Sequence, residues 1–109
     1  MKISTLNKIG NKYLARYKLD KQGYRFLIGK LSSGVVGNTD YQNKLIIVSD
    51  RVLDGEYEVI VHIVQHEISH ALNPGDGHGI SWAKTLSDIS HVDKDFLIKM
   101  YNTVDTVQT

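Results

Sequence analysis

The feature that most constrains this chain is His66-Glu67-Ile68-Ser69-His70, embedded in the apolar run Val59, Ile60, Ile63, Val64 and Ile68. The spacing predicts a helix capped by Asp54 and running to about Leu72, with Glu56 and Glu58 in the first turn where the helix dipole favours acids. On such a helix His66 and His70 stand one turn apart and project from one face. Two imidazoles so placed can hold one Zn²⁺, each nitrogen about 2.0–2.1 Å from the metal. Glu67 falls about 100° round the helix. That is awkward for sharing the metal but within reach of a water beside it. Two ligands and one general base is the division of labour of H-E-x-x-H. Only Glu58, His62, Gln65 and Ser69 form a polar strip, so this helix is expected to be central and mostly buried.

Two ligands hold zinc poorly, and a catalytic site commonly has three. His78 is the best third, and Asp76 is the runner-up from the same loop. Asn73-Pro74-Gly75-Asp76-Gly77 is a run of turn formers, and Pro74 cannot continue the helix. The chain can therefore reverse and bring His78 back toward His66 and His70. His62 extends the i, i+4 row, but three consecutive turns do not converge easily on one tetrahedral ion. The bland alternative is a chance H-x-x-x-H of core histidines. Against it stand the Glu at the required position and the histidine-bearing loop that follows.

The rest of the chain reads as one small α+β domain over residues 1–109. Residues 3–19 form an amphipathic helix with Ile3, Leu6, Tyr13, Leu14 and Tyr17 in one arc, and Gly10 in that arc marks a close approach by another element. Gly23 is the expected left-handed residue after it. Three strands follow, at 24–29, 34–41 and 44–49. The second is weak and broken by glycine, while the third, Lys44 to Ser49, is a nearly continuous apolar run. Their short links suggest a mainly antiparallel meander, with one edge beside the zinc open to an extended peptide. One helical turn is expected within Asp50–Asp54. A helix over 80–89 should turn Trp82, Ala83 and Leu86 inward, with Trp82 packing beneath the histidine loop. Asp93 should cap a last helix bearing Phe96, Leu97, Met100 and Tyr101, before a frayed tail from Val104.

Composition removes several alternatives. The absence of cysteine excludes disulfides, cysteine-ligated zinc and a cysteine nucleophile. No run of apolar residues is long enough for a membrane span, and none at the N-terminus resembles a signal peptide, so a cytoplasmic protein without membrane contact is expected. The net charge of +1 is unevenly spread: residues 1–30 carry eight Lys or Arg against Asp20 alone. Lys8, Lys12 and Arg16, spaced by four, make a basic stripe on the first helix. It is either a solvated face or a contact for an anionic partner such as DNA.

His-Glu-Ile-Ser-His-Ala-Leu followed by Gly-His-Gly-Ile-Ser-Trp resembles the SprT-like family of zinc metallopeptidases. Tyr24-Arg25-Phe26 and Lys44-Leu45-Ile46-Ile47-Val48-Ser49 are weaker matches to that family's strands. The resemblance implies a zincin-like α+β core. It implies one zinc per chain on His66, His70 and His78, with Glu67 as catalytic acid/base. It also implies proteolysis, in several members of proteins bound to DNA. Many members add a cysteine zinc ribbon, which this chain cannot form, so a minimal core is expected. The expected activity is endopeptidase action on a protein or peptide substrate by a monomer, with Tyr41, Tyr57, Tyr101, His62 and His91 as candidate oxyanion donors. Asp76, Asp88 and Asp93 are candidates to orient the histidines. The rivals are a metal-dependent endoribonuclease and a non-catalytic zinc-containing binding module.

Overall fold

The computed structural model describes residues 1–103; the tail expected from Val104 lies outside the described residues. Four helices and a three-stranded mixed sheet follow in the order α1 (Ile3–Arg16), β1 (Arg25–Gly29), β2 (Gly37–Asp40), β3 (Leu45–Ser49), α2 (Tyr57–Leu72), α3 (Ile80–Ser90) and α4 (Lys94–Thr103), with α1 and α2 packed on the sheet, α3 on α2 and α4 on α3. Two short 3-10 turns, Asp20–Gln22 and Asp50–Asp54, join the larger elements.

The helix expected over 3–19 stops at Arg16. Lys18 adopts a left-handed φ of 61°, the Leu19 N–H bonds the Leu14 carbonyl, and the Lys18 N–H bonds that of Ala15. This is a Schellman ending, and it is favoured because Leu19 can then bury itself on Leu14 in the same cluster. Gly23 is left-handed as expected, at φ 95°, but it closes the 3-10 turn instead of the helix. Gly10 is buried under the Phe26 ring, and an added Cβ there would overlap that ring. The close approach read from the sequence is thus α1 lying on β1.

The strand order is β1-β3-β2. β2 and β3 form the expected antiparallel hairpin, but β1 pairs with β3 in parallel, from Arg25↔Leu45 to Gly29↔Ser49. The meander expectation is therefore corrected. The most apolar strand takes the centre, where Ile46 and Val48 are fully buried. Residues 30–44, with β2 among them, make up the long crossover that a parallel pair requires. Arg51 fastens that crossover. Its guanidinium donates to the carbonyls of Leu31, Ser32 and Val35 at 3.3, 2.7 and 3.2 Å, and to Ser49 Oγ at 3.2 Å.

α2 is central. Ile60, Val64, Ile68 and Ala71 join Leu6, Leu14, Phe26, Ile46 and Val48 in the main core. Each of the larger side chains among them contributes roughly 1.5–3 kcal/mol on burial. The cap differs from expectation: Asp54 ends the 3-10 turn, and Glu56, in extended conformation, precedes α2. Val59, from the apolar run read in the sequence, is exposed, whereas Ser69 from the polar strip is fully buried and bonds the Gln65 carbonyl. A second cluster, Trp82, Ala83, Leu86 and Leu97, joins α3 to α4. Asp93 caps α4 as expected, accepting from the Phe96 N–H at 2.9 Å, although Phe96 itself is exposed.

Candidate metal centre

α2 presents His66 and His70 one turn apart, and the loop after it returns His78 to them. Gly75 and Gly77 take left-handed φ values of 83° and 60°, which make that reversal possible. Asp76, the runner-up for the metal, is engaged elsewhere: its carboxylate accepts the Trp82 N–H at 2.9 Å and ties the loop to the first turn of α3. Gly79 leaves room for this carboxylate, since a Cβ there would come within 2.6 Å of it. Asn73, expected only as a turn former, bonds the Ser69 carbonyl and Thr85 Oγ1, at 2.8 and 2.9 Å. It locks the end of α2 to α3.

The Nε2 atoms of the three histidines converge. His70 lies 3.2 Å from both His66 and His78, and His78 lies 3.3 Å from His66. Nitrogens each about 2.0–2.1 Å from one tetrahedral ion stand about 3.3–3.4 Å apart. The observed triangle therefore fits a metal of zinc's size, and the three histidines form a cluster able to hold one ion. Trp82 lies against all three rings, with centroids 5.0, 5.4 and 4.5 Å from His66, His70 and His78. It is fully buried, as expected for packing beneath the loop. His62 is not in the cluster. It is half-buried on the wall of the adjoining cleft, where burial pushes its pKa below the usual 6.5.

Glu67 is 2% exposed. Its Oε2 lies 3.9 Å from His66 Nε2, and its Oε1 accepts from Thr39 Oγ1 at 2.8 Å. Burial pushes its pKa up from the usual 4.5 to about 7, and the Thr39 hydrogen bond acts in the opposite direction. A cleft of about 170 Å³ opens over these groups, lined by Val36, Ile63, His62 and Tyr101 together with His66, Glu67 and His78.

Of the five oxyanion candidates, the structure brings Tyr101 and His62 to this cleft. Tyr57 lines a separate groove between α1 and α2, His91 ends α3, and Tyr41 sits in the β2–β3 turn. Tyr101 also meets Nδ1 of His66, 3.2 Å from its hydroxyl, the position for which aspartates were expected. Asp93 is occupied as the α4 cap and Asp88 lies on α3. Lys8, Lys12 and Arg16 are exposed along α1. Arg16 and Lys12 border the groove with Tyr57, at the opposite end of α2 from His70.

No family model and no curated protein matches the chain in sequence. In structure it is similar to the metallopeptidase zymogen jannalysin of Methanocaldococcus jannaschii, known from a crystal structure. The TM-score is 0.67 over 90% of this chain and 93% of that one, at 17% identity. The chain thus has the α+β fold of a metallopeptidase. No helix among the described residues is long and apolar enough to cross a membrane.

Proposed function

We propose that this protein is a zinc-dependent endopeptidase of SprT-like type, with His66, His70 and His78 as metal ligands and Glu67 as catalytic acid/base. The single observation that carries the reading is a buried carboxylate held 3.9 Å from one corner of a triangle of three imidazole nitrogens. A structural zinc needs no such neighbour; a hydrolytic one does. The fold shared with a metallopeptidase zymogen supports the same class.

When bound, zinc would polarise the scissile carbonyl and acidify water. The chain's own residues supply the rest. Oε1 of Glu67 is engaged by Thr39, which leaves Oε2 to take a proton from the attacking water and return it to the leaving amine. Tyr101, which lines the cleft, is the donor this reading assigns to the developing oxyanion. β2 is the sheet edge beside Glu67, so an extended substrate pairs along it, main chain to main chain. Val36 and Ile63 give the cleft an apolar wall that suits an apolar side chain next to the scissile bond. The exposed row of Lys8, Lys12 and Arg16 supports an anionic partner, and action on DNA-associated proteins is the form of this reading that the row favours.

Zinc-loaded protein is expected to cleave casein and not RNA. Cleavage of RNA alone would replace the reading by the endoribonuclease, and zinc binding with neither activity would favour the binding module.

A further inference from the structure

We propose that Thr39 is a positioning residue that sets which oxygen of Glu67 moves the proton, and that β2 thereby joins the base to the edge where substrate is read. The inference rests on the reading of Glu67 as the base. It is carried by the way β2 meets α2. Thr39 Oγ1 lies 2.8 Å from Glu67 Oε1 and 3.1 Å from the Glu67 carbonyl oxygen, so one hydroxyl spans the side chain and main chain of the same residue. Gly37, two residues earlier and therefore on the same face of the strand, sits against the other oxygen. A Cβ at Gly37 would stand 2.8 Å from Oε2 and 3.0 Å from Cγ. The pair forms a seat: a donor at one oxygen, and a missing side chain where the other must fit.

The seat is held from the sheet as well as by its contact with α2. Gly37 pairs with Val48 and Thr39 with Ile46, and both partners are fully buried. Upstream, Arg51 pins the carbonyls of Leu31, Ser32 and Val35, and the Val36 carbonyl accepts the Ser49 N–H at 2.9 Å. The carboxylate is thus fixed from the sheet as well as from α2, while the histidines are fixed from α2 and its loop. A base that receives a proton and later delivers it must keep an oxygen within hydrogen-bond reach of the reacting atoms, and a misplacement of about 1 Å costs on the order of 100-fold. Thr39 leaves Oε2 as that oxygen.

The test compares Thr39→Val, which keeps the shape and loses the hydroxyl, with Thr39→Ser, which keeps the hydroxyl. Zinc content, kcat and KM on a peptide substrate, and the crystallographic position of Glu67 are measured for each. Thr39→Val is expected to hold zinc and KM at wild-type levels, lose on the order of 10–100-fold in kcat, and show the Glu67 carboxylate turned from its present place. Thr39→Ser is expected to stay within about threefold in kcat, since the donor at Oε1 remains. If Thr39→Val does not fold, Thr39→Ala is read in the same way. Unchanged kcat with an unmoved carboxylate in the hydroxyl-free variant overturns the proposal, and so does an equal kcat loss in Thr39→Ser. Failure of the underlying reading looks different: wild-type protein that hydrolyses nothing, or Glu67→Gln that hydrolyses normally.

Discussion

Burying a carboxylate to 2% exposure carries a desolvation cost, and at Glu67 it shows as a pKa raised from 4.5 to about 7. In the metal-free protein this makes a pH signature. Well below about 4.5 the group is protonated in both folded and unfolded chains and costs nothing. As pH rises from there through about 7 the unfolded chain releases its proton first, so stability falls and then levels. The full loss is on the order of 3 kcal/mol. Glu67→Gln removes this component while leaving the three histidine side chains in place. Urea titrations of metal-free wild type and variant are therefore expected to lie closest near pH ~4.5, with the variant gaining on the wild type up to pH ~8. Parallel curves across that range would mean that Glu67 is not desolvated as described. The sequence named Glu67 through its place in H-E-x-x-H, but it could not name Thr39. A threonine on a weak, polar strand carries no local mark of a contact to a residue 28 positions away.

At the level of elements, the contact between α1 and β1 depends on the missing side chain at Gly10. Glycine within a helix costs about 1 kcal/mol relative to alanine, so Gly10→Ala would stabilise an isolated α1. In the folded chain the new methyl would overlap the buried Phe26 ring, and overpacking of this kind costs about 1–3 kcal/mol. The urea midpoint is expected to fall, and a midpoint that rises would show that α1 and β1 are not in this contact. Gly10 was legible in the sequence because a glycine among core-facing apolar side chains leaves a gap on the helix, and a packed core fills such a gap with a neighbouring element. The pairing of β1 with β3 was not legible. The apolar run of Lys44 to Ser49 reads as a strand covered on both sides, and β3 does take the centre, although Leu45 and Ile47 on its second face are only half-buried; the run says nothing of which neighbour lies on which side. The Schellman ending at Lys18 was hidden for a related reason. Lysine is a poor signal for a left-handed residue, and it is the burial of Leu19 on Leu14 that favours it. Around the candidate site, His66, His70 and His78 were readable from spacing and from the turn formers between them. Tyr101 was readable only as one of five candidates, because its place beside His66 is set by how α4 packs on α3.

Over the whole molecule, two surfaces lie at opposite ends of α2: the histidine cleft near its C-terminus, and the basic row of α1 beside its start. If the row meets nucleic acid, changing Lys8, Lys12 and Arg16 together to Gln should weaken binding to a DNA duplex at low salt and flatten its salt dependence, while casein hydrolysis in the absence of DNA stays as in wild type. Unaltered binding would return the row to the role of a solvated face. The cleft, with its three nitrogens, its adjacent carboxylate and its edge strand, is where peptide hydrolysis is expected to take place. The most direct measurement is peptide-bond hydrolysis by wild type and Glu67→Gln brought to the same zinc content. One zinc per chain is expected in both, with hydrolysis by the wild type and a loss of at least about 100-fold in the variant. Equal hydrolysis by the two, or a wild type that holds its zinc and cleaves no peptide bond, would contradict the assignment of Glu67 as the base of a zinc peptidase.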